Sequence, residues 1–256
     1  MMQIQFHWYG FIVGIAIVTA YELVQKKAHS ENISQKHLLE SGIVALFFGT
    51  IGARAWHVIT DYWLYVDNLQ AVFYIWNGGL SILGGVLGGV IGLIIYLQFI
   101  KSKQKTTLSL TTLLDIAIFG LPIGQAIGRV ANYVNQELYG LPTNGLFKVF
   151  ISEEHRVVGY ESVSYYHPLF LYESIFTVTF ALLLYYLDKK NKLPKIGSGV
   201  LFLSYIFYYS VVRFFLDFLR INRGILVADA LGINQVVLLI LILVVLVFGM
   251  FKYMKK

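Results

Sequence analysis

The chain has 256 residues, of which 57% are hydrophobic and 13% charged, and its formal net charge at pH 7 is +6. Soluble domains carry about 25% charged residues, so this composition excludes an ordinary soluble protein and predicts a single membrane domain, 1–256. The absence of cysteine excludes disulfides, thiolate metal sites and an enzyme-borne cysteine nucleophile. The basic residues stand in short clusters between apolar runs, which favours membrane lipids as partners and argues against nucleic acid.

Seven apolar runs predict an all-α integral membrane protein with about seven transmembrane helices. The predicted spans are 10–23, 42–59, 78–100, 113–128, 168–187, 199–219 and 233–251. Thirteen lysines follow spans one, three, five and seven, whereas five basic residues lie in the other loops and two lie within spans. Because basic loops stay in the cytoplasm, the N-terminus is predicted outside and the C-terminus cytoplasmic. The longest segment between spans, 139–166, then forms a small head segment on the outer face.

The first three spans carry short motifs. Span one opens on His7-Trp8-Tyr9-Gly10, where the aromatic rings also fit an interfacial belt, and span two contains Ala53-Arg54. Small residues in span three recur every three or four positions, which predicts a helix face that a second helix can approach closely. They are Gly78, Ser81, Gly85, Gly88 and Gly92. The same bare face leaves room for a lipid glycerol.

The next two spans are marked by polar residues at their ends. Asp115 lies near the start of span four, and the sequence Gly-Arg-Val-Ala-Asn-Tyr-Val-Asn-Gln-Glu-Leu-Tyr-Gly follows the span at 128–140. An arginine, two asparagines and a glutamate at a membrane boundary need polar partners. His167-Pro168 opens span five, and Glu173 stands one turn inside it, where a carboxylate needs a cation or hydrogen-bond donors.

Span six carries a polar face on an apolar helix. Its members stand at i, i+4, i+8 and i+11 and are Tyr209, Arg213, Asp217 and Arg220. Asp217 is spaced to pair with both arginines, which leaves one positive charge in excess. A surplus of guanidinium groups predicts a phosphate site, since their planar fork matches phosphate oxygens. The alternative is a structural ion pair that lets an arginine cross the bilayer.

In this order along the chain, the motifs resemble those of the prolipoprotein diacylglyceryl transferases, which are bacterial membrane enzymes. The main signature is G-R-x-x-N-x-x-N-x-E-x-x-G at 128–140, and Gly78-Gly79-Leu80-Ser81-Ile82-Leu83-Gly84-Gly85 resembles the glycine-rich segment of the family. The chain departs from the family at Leu83, where many members carry a histidine.

The resemblance implies an enzyme of the bacterial cytoplasmic (inner) membrane with several spans and an active site toward the outer face. It would transfer the diacylglyceryl group of phosphatidylglycerol to the lipobox cysteine thiol in the signal peptide of a preprolipoprotein. A thioether forms and glycerol 1-phosphate leaves, and no metal or cofactor is expected. The alternatives are a degenerate family member that binds lipid without transferase activity, or a transporter, although no inverted repeat is apparent.

Residue roles follow from the resemblance and from the chemistry of the step. Arg129 and Arg213 are expected to stabilise the leaving phosphate, because fixed cations at low dielectric do so without solvent reorganisation. With Leu83 in place of the histidine, either Tyr209, or second Tyr9, relays the thiol proton, or the arginines lower the pKa of the thiol and water accepts it. The residues expected to bind substrate are Arg129, Asn132, Asn135, Glu137, Gly140, His167, Glu173, Arg220, Gly84 and Gly85. Arg156 matches no motif and is expected to be an exposed, replaceable charge.

Overall fold

A computed structural model of the chain describes residues 8–103, 108–221, 225–227 and 231–254. Within these ranges the protein is mostly helical, as predicted for its membrane class. The helices are α1 (Trp8–Ser30), α2 (Gln35–Thr60), α3 (Ile82–Lys103), α4 (Leu110–Ala117), α5 (Leu121–Val134), α6 (Leu169–Lys189), α7 (Val200–Leu216) and α8 (Ile233–Met254). Two short antiparallel pairs join β1 (Val149–Phe150) to β2 (Tyr165–Tyr166) and β3 (Ile225–Val227) to β4 (Leu231–Gly232).

Among the described residues, five helices are long and apolar enough to cross a membrane, namely α1, α2, α3, α6 and α7 with the turn that follows it. A sixth candidate is the pair α4 and α5, which is bent by 52° where span four was predicted to be continuous. The described apolar part of α8, Ile233–Gly249, is shorter. The multi-pass membrane class is therefore confirmed, while seven spans remain a prediction.

The bend between α4 and α5 follows from residues 118–122. Phe119 and Gly120 donate backbone hydrogen bonds to residues three positions back, which tightens the chain, and Pro122 favours a new helix start. Gly120 then lies against α1 so closely that an added Cβ would be 2.0 Å from the Ala20 carbonyl oxygen. A side chain at this position is thus excluded by contact with α1.

The chain divides into two compact units, one formed by residues 1–24 and 114–256 and the other by residues 25–113. The single domain, 1–256, that the sequence predicts stays a prediction. In the unit of residues 25–113, α2 and α3 pack closely: an added Cβ at Gly52 would lie 2.4 Å from the Gly84 oxygen, and one at Gly88 would lie 2.3 Å from the Phe48 oxygen. Gly88 and Gly92 of the predicted face therefore serve helix contact.

The predicted face of small residues in span three begins before the helix does. Helix α3 begins at Ile82, so Gly78 and Ser81 precede the helix, and Gly78 and Gly79 have left-handed φ angles of 84° and 70°. Their carbonyl oxygens accept hydrogen bonds of 2.8 and 3.0 Å from Nη1 of Arg54, whose other nitrogens donate to the carbonyls of residues 71 and 72. Arg54 therefore satisfies four carbonyls and holds the connection between α2 and α3.

In the other unit, buried Asp115 fixes the start of α7. Its carboxylate accepts hydrogen bonds from the N–H groups of Gly197 at 3.0 Å, Gly199 at 2.7 Å and Phe202 at 3.1 Å. Gly199 occupies a left-handed conformation with φ 75°. The N–H groups of Gly199, at the N-cap, and of Phe202, in the first turn, belong to the helix start, whose donors lack partners within the helix, so Asp115 caps α7 from a distant part of the sequence.

The head segment folds around three buried side chains, Tyr139, Ile151 and Tyr166, and burial raises the pKa of both tyrosines. The guanidinium of Arg156 donates to the carbonyl oxygens of Ile151 at 3.0 Å and of residue 161 at 2.6 Å, and to the Ser164 hydroxyl at 3.2 Å. The expectation that Arg156 is merely an exposed charge is wrong, because it ties the segment together.

Candidate active site

Glu173 is the centre of a buried charged cluster. It lies in the second turn of α6, and its side chain is 0% exposed. Its Oε2 is 2.6 Å from Nη2 of Arg129 on α5, and its Oε1 accepts a hydrogen bond from Nη1 of Arg213 on α7. A buried carboxylate at this position was predicted to need a cation, and Glu173 has two, Arg129 from α5 and Arg213 from α7.

A second carboxylate extends the cluster at the end of α7. Asp217, also 0% exposed, has its Oδ1 3.7 Å from Nη2 of Arg213 and 3.7 Å from Nη1 of Arg220. Both predicted ion pairs of Asp217 are thus present. The predicted helical face is wrong at its end, since α7 stops at Leu216, a 3₁₀ turn covers Asp217–Leu219, and Arg220 is extended.

The cluster carries an excess of positive charge. Within the network of direct ion pairs, Arg129, Arg213 and Arg220 contribute +3 and the two buried carboxylates −2, which leaves +1 with all five groups ionised. Glu137 is exposed and reaches Arg129 only through Asn132, so it stands outside this count. Nε of Arg129 is buried and has no hydrogen-bond partner among the described residues; the same holds for Oε2 of Glu173 and both carboxylate oxygens of Asp217, whose charges are balanced by the ion pairs above. A buried cationic donor without an acceptor is costly, so the arrangement favours an anion that is able to accept its hydrogen bond.

Signature residues in the last turn of α5 and just after it orient Arg129. Nη1 of Arg129 donates to Oδ1 of Asn132 at 3.0 Å, and Nδ2 of Asn132 donates to Oε1 of Glu137 at 2.7 Å. Asn135 is exposed and ends α5 through its backbone N–H, which donates to the Ala131 oxygen. The structure thus brings Asn132 and Glu137 to Arg129, whereas it gives the Asn135 side chain no contact with them in the described part of the chain.

Glu137 is held by an unusual stretch of backbone. Its neighbours Gln136 and Leu138 have φ angles of 52° and 57°, a left-handed region that costs free energy for residues other than glycine. Two hydrogen bonds fix them: Oε1 of Gln136 accepts from the Ser152 N–H at 2.6 Å, and the Leu138 oxygen accepts from the Phe170 N–H at 3.1 Å. The head segment and α6 therefore impose this conformation on the signature loop.

Gly140 ends the signature at a close backbone contact. Its N–H donates to the His167 oxygen at 2.8 Å, and it forms an isolated bridge with Arg220. An added Cβ would lie 2.5 Å from the Leu219 oxygen, so only glycine lets the backbone at 140 lie this close to the segment that contains Leu219 and Arg220. His167 is placed beside the signature by the same contact, and its Nδ1 is 3.1 Å from the Tyr172 hydroxyl.

Both predicted tyrosines lie near Arg129. The Tyr209 hydroxyl is within electrostatic range of Glu173, Arg129 and Arg213, and its ring stacks on Tyr205 with 6.2 Å between the centroids. Tyr9, at the start of α1, is within electrostatic range of Glu137 and Arg129. His7, the other polar residue of that motif, lies outside the described residues.

The family model described as prolipoprotein diacylglyceryl transferase matches residues 1–251. The chain belongs to the prolipoprotein diacylglyceryl transferase family.

Three relatives illustrate the similarity, and each is named phosphatidylglycerol–prolipoprotein diacylglyceryl transferase. The protein of Halalkalibacterium halodurans is 32% identical over 238 residues, which cover 92% of this chain and 78% of that protein. That of Fervidobacterium nodosum is 32% identical over 94% of this chain and 80% of its own length. That of Finegoldia magna is 33% identical over 97% and 92%.

In this diacylglyceryl transferase family member, Gly84 and Gly85 are predicted to bind substrate, and their contacts with α2 do not test that role. An added Cβ at Gly84 would lie 2.2 Å from the Gly52 oxygen, whereas at Gly85 its nearest neighbour would be 3.6 Å away. Gly84 is therefore needed for packing against α2. Binding of substrate by these two glycines remains a prediction.

Sequence reasoning missed two polar residues in the same unit as the cluster. The Tyr205 hydroxyl donates to Oε1 of Gln125, which joins α7 to α5 one turn before Arg129 on α5. Tyr205 stands four positions before Tyr209 and so lies on the same face of α7. Following the polar face one turn toward the helix start would have identified Tyr205. Gln125 lies four positions before Arg129 in α5, where the same argument applies.

Proposed function

We propose that the protein transfers the diacylglyceryl group of phosphatidylglycerol to the lipobox cysteine thiol of preprolipoproteins. The observation that carries this proposal is the pair of guanidinium groups, Arg129 and Arg213, fixed on one buried carboxylate with one positive charge in excess. A phosphodiester carries one negative charge, so the phosphate of phosphatidylglycerol balances the cluster. Family membership supports the same substrates.

In the reaction, the thiol sulfur forms a bond to the third glyceryl carbon of the lipid while the bond from that carbon to the phosphate oxygen breaks. The products are the thioether and glycerol 1-phosphate. As the carbon–oxygen bond breaks, the charge on the departing phosphate grows from −1 toward −2. Arg129 and Arg213 stabilise this added charge, and Nε of Arg129 is the donor that Glu173 and Asn132 leave unused.

Glu173 has a positioning role in this proposal. It occupies one nitrogen of each arginine and holds both guanidiniums on the same site, so that little reorganisation accompanies the charge transfer. Asn132, Asn135, Glu137, Gly140, His167 and Arg220 would bind the polar head group. The thiol proton passes to Tyr209, or second to Tyr9, unless the arginine field lowers the thiol pKa enough for water to accept the proton.

We further propose that the chain is one membrane domain with seven spans, an outer N-terminus and a cytoplasmic C-terminus. The head segment and the arginine cluster then face the outer side of the bacterial cytoplasmic membrane, where signal peptides present their lipobox cysteine. The distribution of the lysines supports this orientation.

The decisive experiment mixes purified protein with phosphatidylglycerol labelled in its acyl chains and a lipobox peptide. We expect the label to appear on the peptide in a thioether, and glycerol 1-phosphate to appear in equal amount. A protein that binds the lipid under the same conditions but leaves the peptide unlabelled is the degenerate member that Leu83 raises as an alternative.

A further inference from the structure

Residues 146–150, here named the head tip, expose an apolar surface of unusual composition. Leu146 is 98% exposed, Phe147 66% and Phe150 55%, and the cation Lys148 stands among them. Adjacent exposed apolar residues of this size are rare on surfaces that face water and mark sites of contact with a protein or a membrane. The position of the head tip in the fold indicates which of the two it contacts.

The head tip folds back beside the ends of two apolar helices. It lines a groove of about 400 Å³ together with Tyr133 from the last turn of α5 and with Phe170 and Leu171 from the first turn of α6. The Phe147 oxygen is 3.5 Å from the hydroxyl of Tyr172, which belongs to that same turn. Because α6 is a candidate membrane span, its first turn marks the depth at which the bilayer begins.

Lys148 places a positive charge at the level where the lipid phosphates lie. Its Nζ lies 4.6 Å from the centroid of the Tyr165 ring, and no carboxylate in the described ranges is within ion-pair distance of it. A lysine among aromatic residues at a membrane boundary extends its ammonium group to the lipid phosphates while its stem stays in apolar surroundings. The charge thus complements an anionic head group.

We propose that the head tip inserts into the outer leaflet, with Leu146, Phe147 and Phe150 among the upper acyl carbons and Lys148 on the phosphate of an anionic phospholipid. The proposal rests on the membrane placement given above, and it adds a second lipid contact separate from the arginine cluster. The tip anchors the head segment to the bilayer, and Tyr172 links it to His167 beside the signature loop.

The absence of cysteine makes the test direct, since single cysteines are able to carry a spin label without background. Leu146→Cys probes the tip, and Val158→Cys is the matched control because Val158 is 88% exposed in another loop of the same segment. In nanodiscs, we expect the label at 146 to collide more with oxygen than with a water-soluble nickel chelate, and the label at 158 to show the reverse. Equal preference for the nickel chelate at both positions, or dipolar broadening between copies at 146, would overturn the proposal.

A second measurement tests Lys148 without involving turnover. Phosphatidylserine is anionic but is not the proposed donor, so nanodiscs with and without it separate an anionic contact at the tip from occupancy of the transfer site. We expect the label at 146 to lie deeper with phosphatidylserine, and this difference to vanish in Lys148→Gln. A depth that ignores the anionic lipid overturns the role of Lys148, and loss of transferase activity affects neither result.

Discussion

At the scale of single residues, Glu173 determines how the two arginines are used. A lone buried guanidinium at low dielectric would be strongly unfavourable, and two of them facing each other would also repel. Their shared carboxylate offsets both effects, yet Asp217 and Arg220 keep the sum at +1. The cluster therefore remains attractive to a phosphate without being an unpaired charge in the membrane.

The first prediction concerns the fork of Arg213. We expect Arg213→Lys to lower transfer by about 100-fold or more, because lysine keeps the charge but loses the planar fork that donates to Glu173 from one nitrogen and to a phosphate oxygen from another. Transfer is measured with labelled phosphatidylglycerol, and Arg129→Lys should behave alike. Full activity with a normal folded fraction in either variant contradicts the phosphate clamp.

The second prediction concerns the thiol proton. Tyr209→Phe should lose most of its rate and change the alkaline side of its pH profile, because the proposed proton relay uses its hydroxyl, which is within electrostatic range of Glu173, Arg129 and Arg213. Leu83→Ala is the control and should stay substantially active, since Leu83 has no proton to exchange. If Tyr209→Phe matches the parent from about pH 6 to 9, where a free thiol normally ionises, the arginine field alone forms the thiolate.

At the scale of elements, the arginines depend on how α5, α6 and α7 are fixed. Helix α7 is held at its start by Asp115 and joined to α5 through Tyr205 and Gln125. The signature loop after α5 is forced into left-handed conformations at Gln136 and Leu138 by the head segment and α6. The geometry of the cluster is therefore set by contacts that lie outside the charged residues.

The third prediction follows from the cap of α7. Asp115→Ala leaves the N–H groups of Gly197, Gly199 and Phe202 without their acceptor, and each buried unsatisfied donor costs on the order of 1 to 3 kcal/mol. We expect the thermal midpoint in detergent to fall by several degrees and transfer to fall with it, because α7 carries Tyr209 and Arg213. An unchanged midpoint would show that another group caps the helix.

The fourth prediction concerns Arg156 in the head segment. Arg156→Ala removes three hydrogen bonds that join residues 151, 161 and 164, so we expect the segment to become more sensitive to protease in the folded protein. Val158→Ala serves as the control, since Val158 is 88% exposed in the same segment and its side chain makes no such bonds. Equal protease sensitivity of the two variants contradicts the role given to Arg156.

At the scale of the whole molecule, the sequence predicts the membrane class and the need of buried charges for partners better than it predicts backbone geometry. Ion pairs such as Glu173 with the arginines follow from the cost of a buried charge, which any fold must offset. By contrast, the bend at Gly120, the left-handed Leu138 and the end of α7 at Leu216 arise from contacts between distant segments. Periodicity within one segment carries no information about such contacts, so these features were missed or placed wrongly.

The last prediction addresses orientation, which the lysine distribution supports only indirectly. Val158 lies in the head segment and Asn191 in the lysine-rich turn after α6, and both side chains are exposed, so Val158→Cys and Asn191→Cys are matched probes on opposite ends of α6. In intact cells, a thiol reagent that is unable to cross the inner membrane should modify the cysteine at 158 and spare the one at 191 until the membrane is permeabilised. The reverse pattern would place the head segment in the cytoplasm, on the side of the membrane opposite to the lipobox thiol. The arginine cluster lies beside the signature loop that the head segment holds, so that result would contradict the proposed transfer at the outer face as well.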